Sequence, residues 1–186
     1  MRIRAVAGAL HMATAGFWLA SIVFVGIAAA MAFPMMKDLA PTLPDFVGYP
    51  DDHWIIAGGY VTNPLFGVLR VVQITCVTIC GITLLMTIRE HRGKWLSLSR
   101  VILLIAALGL VIFDIAILGP RMQGQLSAFR DTARAGNVEA ADVHRAAFDA
   151  DHPVGRRVIE GTALCALGLV ITGVAAVGRP RQERGA

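Results

Sequence analysis

Charged residues are scarce in this sequence. They make up 16% of its 186 residues, whereas 56% are hydrophobic and the mean hydropathy is +0.64. Ordinary soluble domains carry about 25% charged residues, so the composition excludes that class. The length suits one domain rather than two.

Cysteines and catalytic motifs are also few. The three cysteines, Cys76, Cys80 and Cys165, lie inside apolar stretches, and an odd number of such thiols argues against a disulfide framework. The sequence contains no nucleophile elbow, phosphate-binding loop or metalloprotease helix, and no spacing links Ser, His and Asp into a triad. The basic residues lie near the ends of apolar segments and not in a stripe with aromatics, so no nucleic-acid partner is predicted.

Four apolar segments are long enough to cross a bilayer core, which needs about 20 residues. They cover residues 10–34, 65–88, 96–118 and 158–177. Gly119-Pro120 follows the third segment, and Gly178 and Pro180 follow the fourth, a pattern typical of a helix stop. We therefore predict an all-α integral membrane protein, a four-transmembrane-helix bundle that forms one domain over residues 1–186, with the lipid bilayer as its first partner.

The charges between these segments are distributed unequally. The amino end, the connection after the second segment counted through Arg100, and the tail have a combined charge balance of +7. The other two connections, residues 35–64 and 119–157, have a balance of −2. Because basic residues stay on the cytoplasmic side, we expect both termini in the cytoplasm of a bacterium, the inner membrane as the location, and the two long connections on the outer, periplasmic side.

The two outer connections are predicted to be amphipathic excursions. In the first, Asp51 or Asp52 can cap a short helix that places Trp54 and Tyr60 at the membrane interface. In the second, we expect two amphipathic helices on either side of Gly136-Asn137. Their apolar faces are Leu126, Phe129 and Ala133 in the first helix, and Val143, Ala147 and Ala150 in the second.

Three ionisable side chains lie inside the apolar segments: Arg70, Asp114 and Glu160. Ionisable groups in a span are costly and indicate function by default. At 1.5 Å per residue, all three fall within about 3–8 Å of the outer surface, so we expect them to meet in one layer. Three interpretations are open: an ion cluster that ties three helices together, a pocket that binds a small ligand or ion, and separate side chains that reach the interface.

A copper site is a further hypothesis, because thioether and imidazole ligands suit copper. The outer side collects six residues of this kind: Met35, Met36, His53, Met122, His144 and His152. No tight spacing joins them, so interface packing and helix ends are the competing interpretation.

A haem b site would need two facing histidines in the bundle. His11 lies near the inner end of the first segment and His91 near the inner end of the second, at roughly matching depths. His91 stands in the string Arg-Glu-His-Arg, which is typical of a solvated connection.

Small residues are frequent in the apolar segments and allow helices to approach closely in lipid. Some of them are expected to face a partner subunit rather than the bundle. The glycines concerned are Gly8, Gly16, Gly26, Gly81, Gly109, Gly161, Gly168 and Gly173.

Several short motifs carry a family resemblance. They are His11 with Trp18, Phe33-Pro34, Ala57-Gly58-Gly59, Pro64-Leu65-Phe66, Pro120-Arg121-Met122, and Phe148 with His152. Together they resemble a bacterial family of four-helix membrane proteins of unknown function, which is similar to a eukaryotic transmembrane protein linked to platinum-drug tolerance. The first helix, with a His and a Trp seven apart, also resembles copper-resistance CopD-type proteins. Neither resemblance implies catalytic residues.

Three classes of function remain open. The first is a non-catalytic accessory or assembly subunit of a larger membrane complex, favoured by the missing catalytic motifs and the small-residue faces. The second is a small transporter or copper-handling protein, which would use the charged layer or the outer Met and His residues. The third is a b-type haem electron carrier.

Overall fold

The computed structural model describes residues 2–50, 53–87 and 94–177. These ranges contain five α-helices and no strand: α1 (Arg2–Leu39), α2 (His53–Thr87), α3 (Lys94–Phe113), α4 (Gly119–Arg134) and α5 (Val138–Val177). A 3₁₀ turn (Pro44–Phe46) precedes α2, and a π-helical segment (Asp114–Leu118) joins α3 directly to α4.

The helices form four continuous rods. Each is long and apolar enough to cross a membrane: Ala5–Leu39, His53–Thr87, Trp95–Arg134 and Val138–Ala175. This confirms the predicted all-α bundle of four membrane-spanning helices. A 40-residue helix such as α5 is about 60 Å long, whereas the hydrocarbon core is about 30 Å thick, so the rods continue well beyond the lipid.

The helix stop expected at Gly119-Pro120 does not occur. The Gly119 N–H donates to the Asp114 carbonyl, a bond that spans five residues and produces the wide turn of a π-helix. Pro120 has no N–H to give to the ladder, and the π segment supplies the altered hydrogen-bonding register just before it. Prolines also stand inside α1, α2 and α5, at Pro34, Pro64 and Pro153.

The bundle core lies between four neighbouring rods. Trp18 is fully buried at its centre with Cys80 and Leu169, and small residues such as Ala15 and Ala107 fill the space between them. Each of α1 and α3 lies between α2 and α5. The packing is uneven, because α2 packs extensively on α1 and only sparsely on α3; we call this last contact line the α2–α3 seam.

The glycines of the spans divide into two groups. On α5, a Cβ at Gly168 would lie 2.8 Å from Leu103 of α3, and one at Gly173 would collide with Met12 of α1. These positions therefore allow close packing inside the bundle. A Cβ would meet nothing within 4 Å at Gly8, Gly16 and Gly26 of α1 or at Gly109 of α3.

A second apolar core lies at one end of the rods. Phe46, Tyr49, Ile56, Phe129, Ala133 and Ala141 are buried together. We call the surrounding part the head: residues 40–50 and 53–60, α4, and residues 138–152 of α5. At the edge of the head the backbones of Gly48 and Gly136 pack directly against each other, since a Cβ at Gly48 would lie 2.9 Å from the Gly136 Cα.

The two amphipathic helices predicted around Gly136-Asn137 are α4 and the first part of α5. Gly136 has φ +71°, so it turns the chain between them. Phe129 and Ala133 are buried as expected, but Val143 is 64% exposed and Ala141 is buried instead. The expected face of the second helix was wrong because α5 is one rigid rod, and its buried line in the bundle sets its rotation in the head.

Candidate functional site

An ion pair joins α2 to the π-helical segment at the α2–α3 seam. The Arg70 Nε donates to the Asp114 Oδ2 at 3.0 Å, and the two side chains are 33% and 18% exposed. Gly119 packs against the guanidinium, since a Cβ there would lie 2.7 Å from the Arg70 Nη2. Two of the three predicted residues of the charged layer therefore meet.

The position and the pairing of Arg70 and Asp114 each have a physical cause. The sparse seam leaves room for an arginine side chain, and the absent side chain of Gly119 lets the guanidinium lie against the backbone. A charge in a span needs a partner, such as a group of opposite sign or a backbone carbonyl, and the Arg70–Asp114 contact provides one. Chemically, the pair can tie two helices together, or open to admit an ion that replaces one partner.

Glu160 does not join this pair. Its carboxylate faces Arg156, one turn away on α5, at 3.5 Å, and its side chain is 61% exposed. The expectation of a three-residue cluster considered depth alone. Thr162, Ala166 and Leu169 form the buried line of α5, and this rotation carries Glu160 to the opposite side of the helix.

The histidines of the copper hypothesis have separate local partners. His53 accepts a hydrogen bond from the Leu43 N–H at Nδ1, and its Nε2 lies 2.8 Å from the Tyr49 carbonyl oxygen. His144 Nδ1 lies 2.8 Å from the Gln125 Oε1, and the His152 ring lies against Phe148. His53 thus fixes the chain that leads into α2.

The methionines of the same hypothesis also lie apart from a defined centre. Met35 is 55% exposed, Met36 is partly buried, and the sulfur of Met122 lies against Gly155 of α5. Within the described ranges, no three His, Cys, Asp or Glu side chains come together as a metal site. The copper hypothesis therefore gains no geometric support from these residues.

The haem hypothesis depends on His11 and His91. His11 is fully buried, and its Nδ1 lies 3.0 Å from the Thr83 Oγ1 of α2. This contact ties α1 to α2 near the end opposite the head. His91 lies outside the described residues, so the expected pairing stays a prediction.

Arg100 is a buried charge that the sequence analysis counted with the connection. Its residue is only 2% exposed. The signal that could have found it is its position, since it lies four residues inside the third apolar segment. A charge there is subject to the same cost as Arg70.

The head holds a second group of polar residues that the sequence analysis treated only as charges. The guanidinium of Arg130 lies over the ring of Tyr60 at 4.1 Å, and that of Arg134 lies over Phe46 at 5.2 Å. The Arg134 Nη2 donates to the Tyr60 hydroxyl at 2.5 Å.

Tyr49 forms the other polar contact of the head core. Its hydroxyl donates to the Asp142 Oδ1 at 2.9 Å, and the Arg145 Nη1 donates to the same hydroxyl at 3.3 Å. Burial raises the pKa of Tyr49 above its ordinary 10.0. Asp142 and Arg145 lie on α5, and no spacing in the sequence indicated that they would meet Tyr49.

The fold and these sites define the class: a multi-pass helical membrane protein with a structured head. Comparison with protein-family models, with curated proteins and with solved structures finds no match to this chain. The resemblances to the four-helix family and to CopD-type proteins therefore stay predictions.

Proposed function

We propose that this chain is a non-catalytic membrane protein that serves as an accessory or assembly subunit and binds other membrane proteins through the faces of its spans. The observation that carries this proposal is the group of open glycines on α1 and α3. At Gly26 and Gly109 an added Cβ would meet nothing within 4 Å. Glycine in a helix interior costs about 0.5–1 kcal/mol of stability relative to alanine. Contact with lipid does not offset this cost, whereas a partner helix can pack closely against the glycine.

The head supports the same proposal. It extends beyond the membrane-spanning part and has its own apolar core around Phe129 and Tyr49. An ordered head of this kind offers a partner a fixed surface, and Arg and Tyr, which are frequent in protein interfaces, lie on it. The neighbouring contacts of Arg134 and Tyr60 are partly exposed.

The location belongs to this proposal too. The termini and the short connection have a charge balance of +7 with the buried Arg100 counted and +6 without it, against −2 for the segments that include the head. This difference favours cytoplasmic termini and a periplasmic head in a bacterial inner membrane. A tag at either terminus should resist protease added to intact spheroplasts. Cleavage of the tag there would reverse the proposed orientation.

Site-specific photo-crosslinking in native membranes tests the partner proposal. A crosslinking residue replaces Gly26 or Gly109, and the matched controls replace Val68 and Leu164, which are 63% and 67% exposed on the membrane faces. We expect discrete protein adducts from the glycine positions and lipid adducts from the controls. Equal adduct patterns at all four positions would contradict a glycine-specific interface.

A small transporter is the second candidate, and the Arg70–Asp114 pair favours it. The pair is partly exposed, lies at the sparse seam and stands beside a π-helical segment, a feature frequent at functional sites. The test is ion flux into proteoliposomes. Flux that is lost in Asp114→Asn but kept in Glu160→Gln, a variant of the exposed pair, would support transport over the accessory role.

A further inference from the structure

Arg130 is a half-buried charge without a counter-ion. Its Nε and Nη2 are buried and have no hydrogen-bond partner. No carboxylate in the described part of the chain lies within ion-pair distance of it. Such a group is costly, since a buried charge is normally stabilised by a partner of opposite sign.

A second positive charge stands beside the first. Arg134 lies one turn along α4, on the same side, and its side chain is 43% exposed. Its one carboxylate contact is with Asp131 at 3.4 Å, and Asp131 is 74% exposed, so this contact neutralises little. Like charges four residues apart repel, and the fold keeps them together.

The Tyr60 ring holds both side chains in position. Arg130 stacks on its face and Arg134 donates to its hydroxyl. Gly59 lies against the other side of the Arg130 guanidinium, since an added Cβ there would be in ordinary contact, 3.5 Å from the Nη2. Two guanidinium groups oriented by one ring form a preorganised anion site.

The depth of Arg130 and Arg134 in the membrane limits which ligands can reach them. Tyr60 precedes the second apolar segment by five residues, which is about 7 Å along the helix axis. The polar layer on each side of the hydrocarbon core is about 5–8 Å thick. Arg130 follows the third apolar segment by twelve residues, about 18 Å along its own rod, so the site lies between the level of the phospholipid headgroups and the water beyond them.

We propose that Arg130 and Arg134, oriented by Tyr60, form a site for a phosphate group, supplied either by a lipid headgroup or by a soluble phosphate. The Nη1 of Arg130, the guanidinium nitrogen that is not buried, and the donors of Arg134 bind the phosphate oxygens. The missing counter-ion of Arg130 is this ligand.

The test measures ligand-dependent stability of the full-length protein in detergent. Inorganic phosphate is compared with chloride at equal ionic strength, and lipid retention is measured by native mass spectrometry after delipidation and addition of phosphatidylglycerol. The variants are Arg130→Gln, Arg134→Gln and the control Arg156→Gln, whose side chain is 72% exposed away from the head contacts.

The expected result is a gain in melting temperature with phosphate, or retention of phosphatidylglycerol, in the wild-type protein and in Arg156→Gln. Loss of charged hydrogen bonds should weaken binding about ten- to hundred-fold in Arg130→Gln. A higher melting temperature with phosphate, without retained lipid, would identify the ligand as a soluble phosphate. Retained phosphatidylglycerol without that change in melting temperature would identify it as a lipid headgroup. Arg130→Lys, which keeps the charge but loses the planar fork, should bind with intermediate strength and covers the case in which Arg130→Gln does not fold.

Two outcomes would overturn the proposal. One is a wild-type protein that responds to neither probe. The other is an Arg130 variant that keeps the full response. A purely structural Arg130 would change the melting temperature equally in phosphate and in chloride.

Discussion

Neutralising one member of the Arg70–Asp114 pair should destabilise the bundle more than neutralising both. At an effective dielectric constant of about 20, two unit charges 4 Å apart attract by about 4 kcal/mol. The exposure of the side chains, 33% and 18%, reduces this value, so we expect a loss of about 2 kcal/mol for Asp114→Leu or Arg70→Met. For a chain of this size, the loss corresponds to a fall of about 4–8 °C in melting temperature.

The double variant Arg70→Met/Asp114→Leu leaves no charge without a partner, so it should recover most of the lost stability. The exposed pair of Arg156 and Glu160 provides the control, because its neutralisation should change stability by less than about 0.5 kcal/mol. The measurement is tryptophan fluorescence on heating in one detergent, in which the change on unfolding comes chiefly from the buried Trp18, since Trp95 is already exposed in the folded protein. The reasoning fails if both single variants melt with the wild type, or if the double variant melts at the sum of the single losses.

Three further predictions concern the backbone and the head. Gly119→Ala should lower the melting temperature because its Cβ would meet the Asp114 carbonyl at 2.7 Å, whereas Gly124→Ala, with nothing within 4 Å, should raise it slightly. Ala40 has φ 44° at the end of α1, so Ala40→Gly should stabilise by about 1 kcal/mol, and Ala30→Gly inside α1 should destabilise by a similar amount; an equal sign for both would refute the strain at Ala40. Burial raises the pKa of Tyr49 above 10.0, so the contribution of Tyr49 to stability should be fully present below pH 10 and be lost as the pH rises through the higher pKa of the folded protein. In a melting series from pH 8 to 11, Tyr49→Phe should make this fall in melting temperature smaller.

The sequence predicted the number of membrane helices because a 20-residue apolar run has one stable arrangement in lipid. It also predicted the meeting of Arg70 and Asp114, since each is a single charge at a similar depth in its segment. Depth could be counted along the chain, but rotation about the helix axis could not. That is why Glu160, at the right depth, lies on the wrong side of α5.

The polar contacts of the head could not be predicted from the sequence for a different reason. Arg130 and Tyr60 are 70 residues apart in sequence, and their stacking depends on α4 continuing the line of α3 until it lies beside the start of α2. The expected stop at Gly119-Pro120 hid this arrangement, because a broken helix would leave α4 free to lie on the membrane. The π-helical turn keeps α3 and α4 as one rod instead.

Unbroken rods also determine how the molecule can move. Because α3 continues through the π segment into α4, and α5 runs from the head to the far end of the bundle, the head is joined to the bundle by continuous helices and not by loops. The wide turn at residues 114–118 is the place along that path where bending needs the least rearrangement. A tilt of the head would therefore bend the α3–α4 rod first at this segment, beside the Arg70–Asp114 contact.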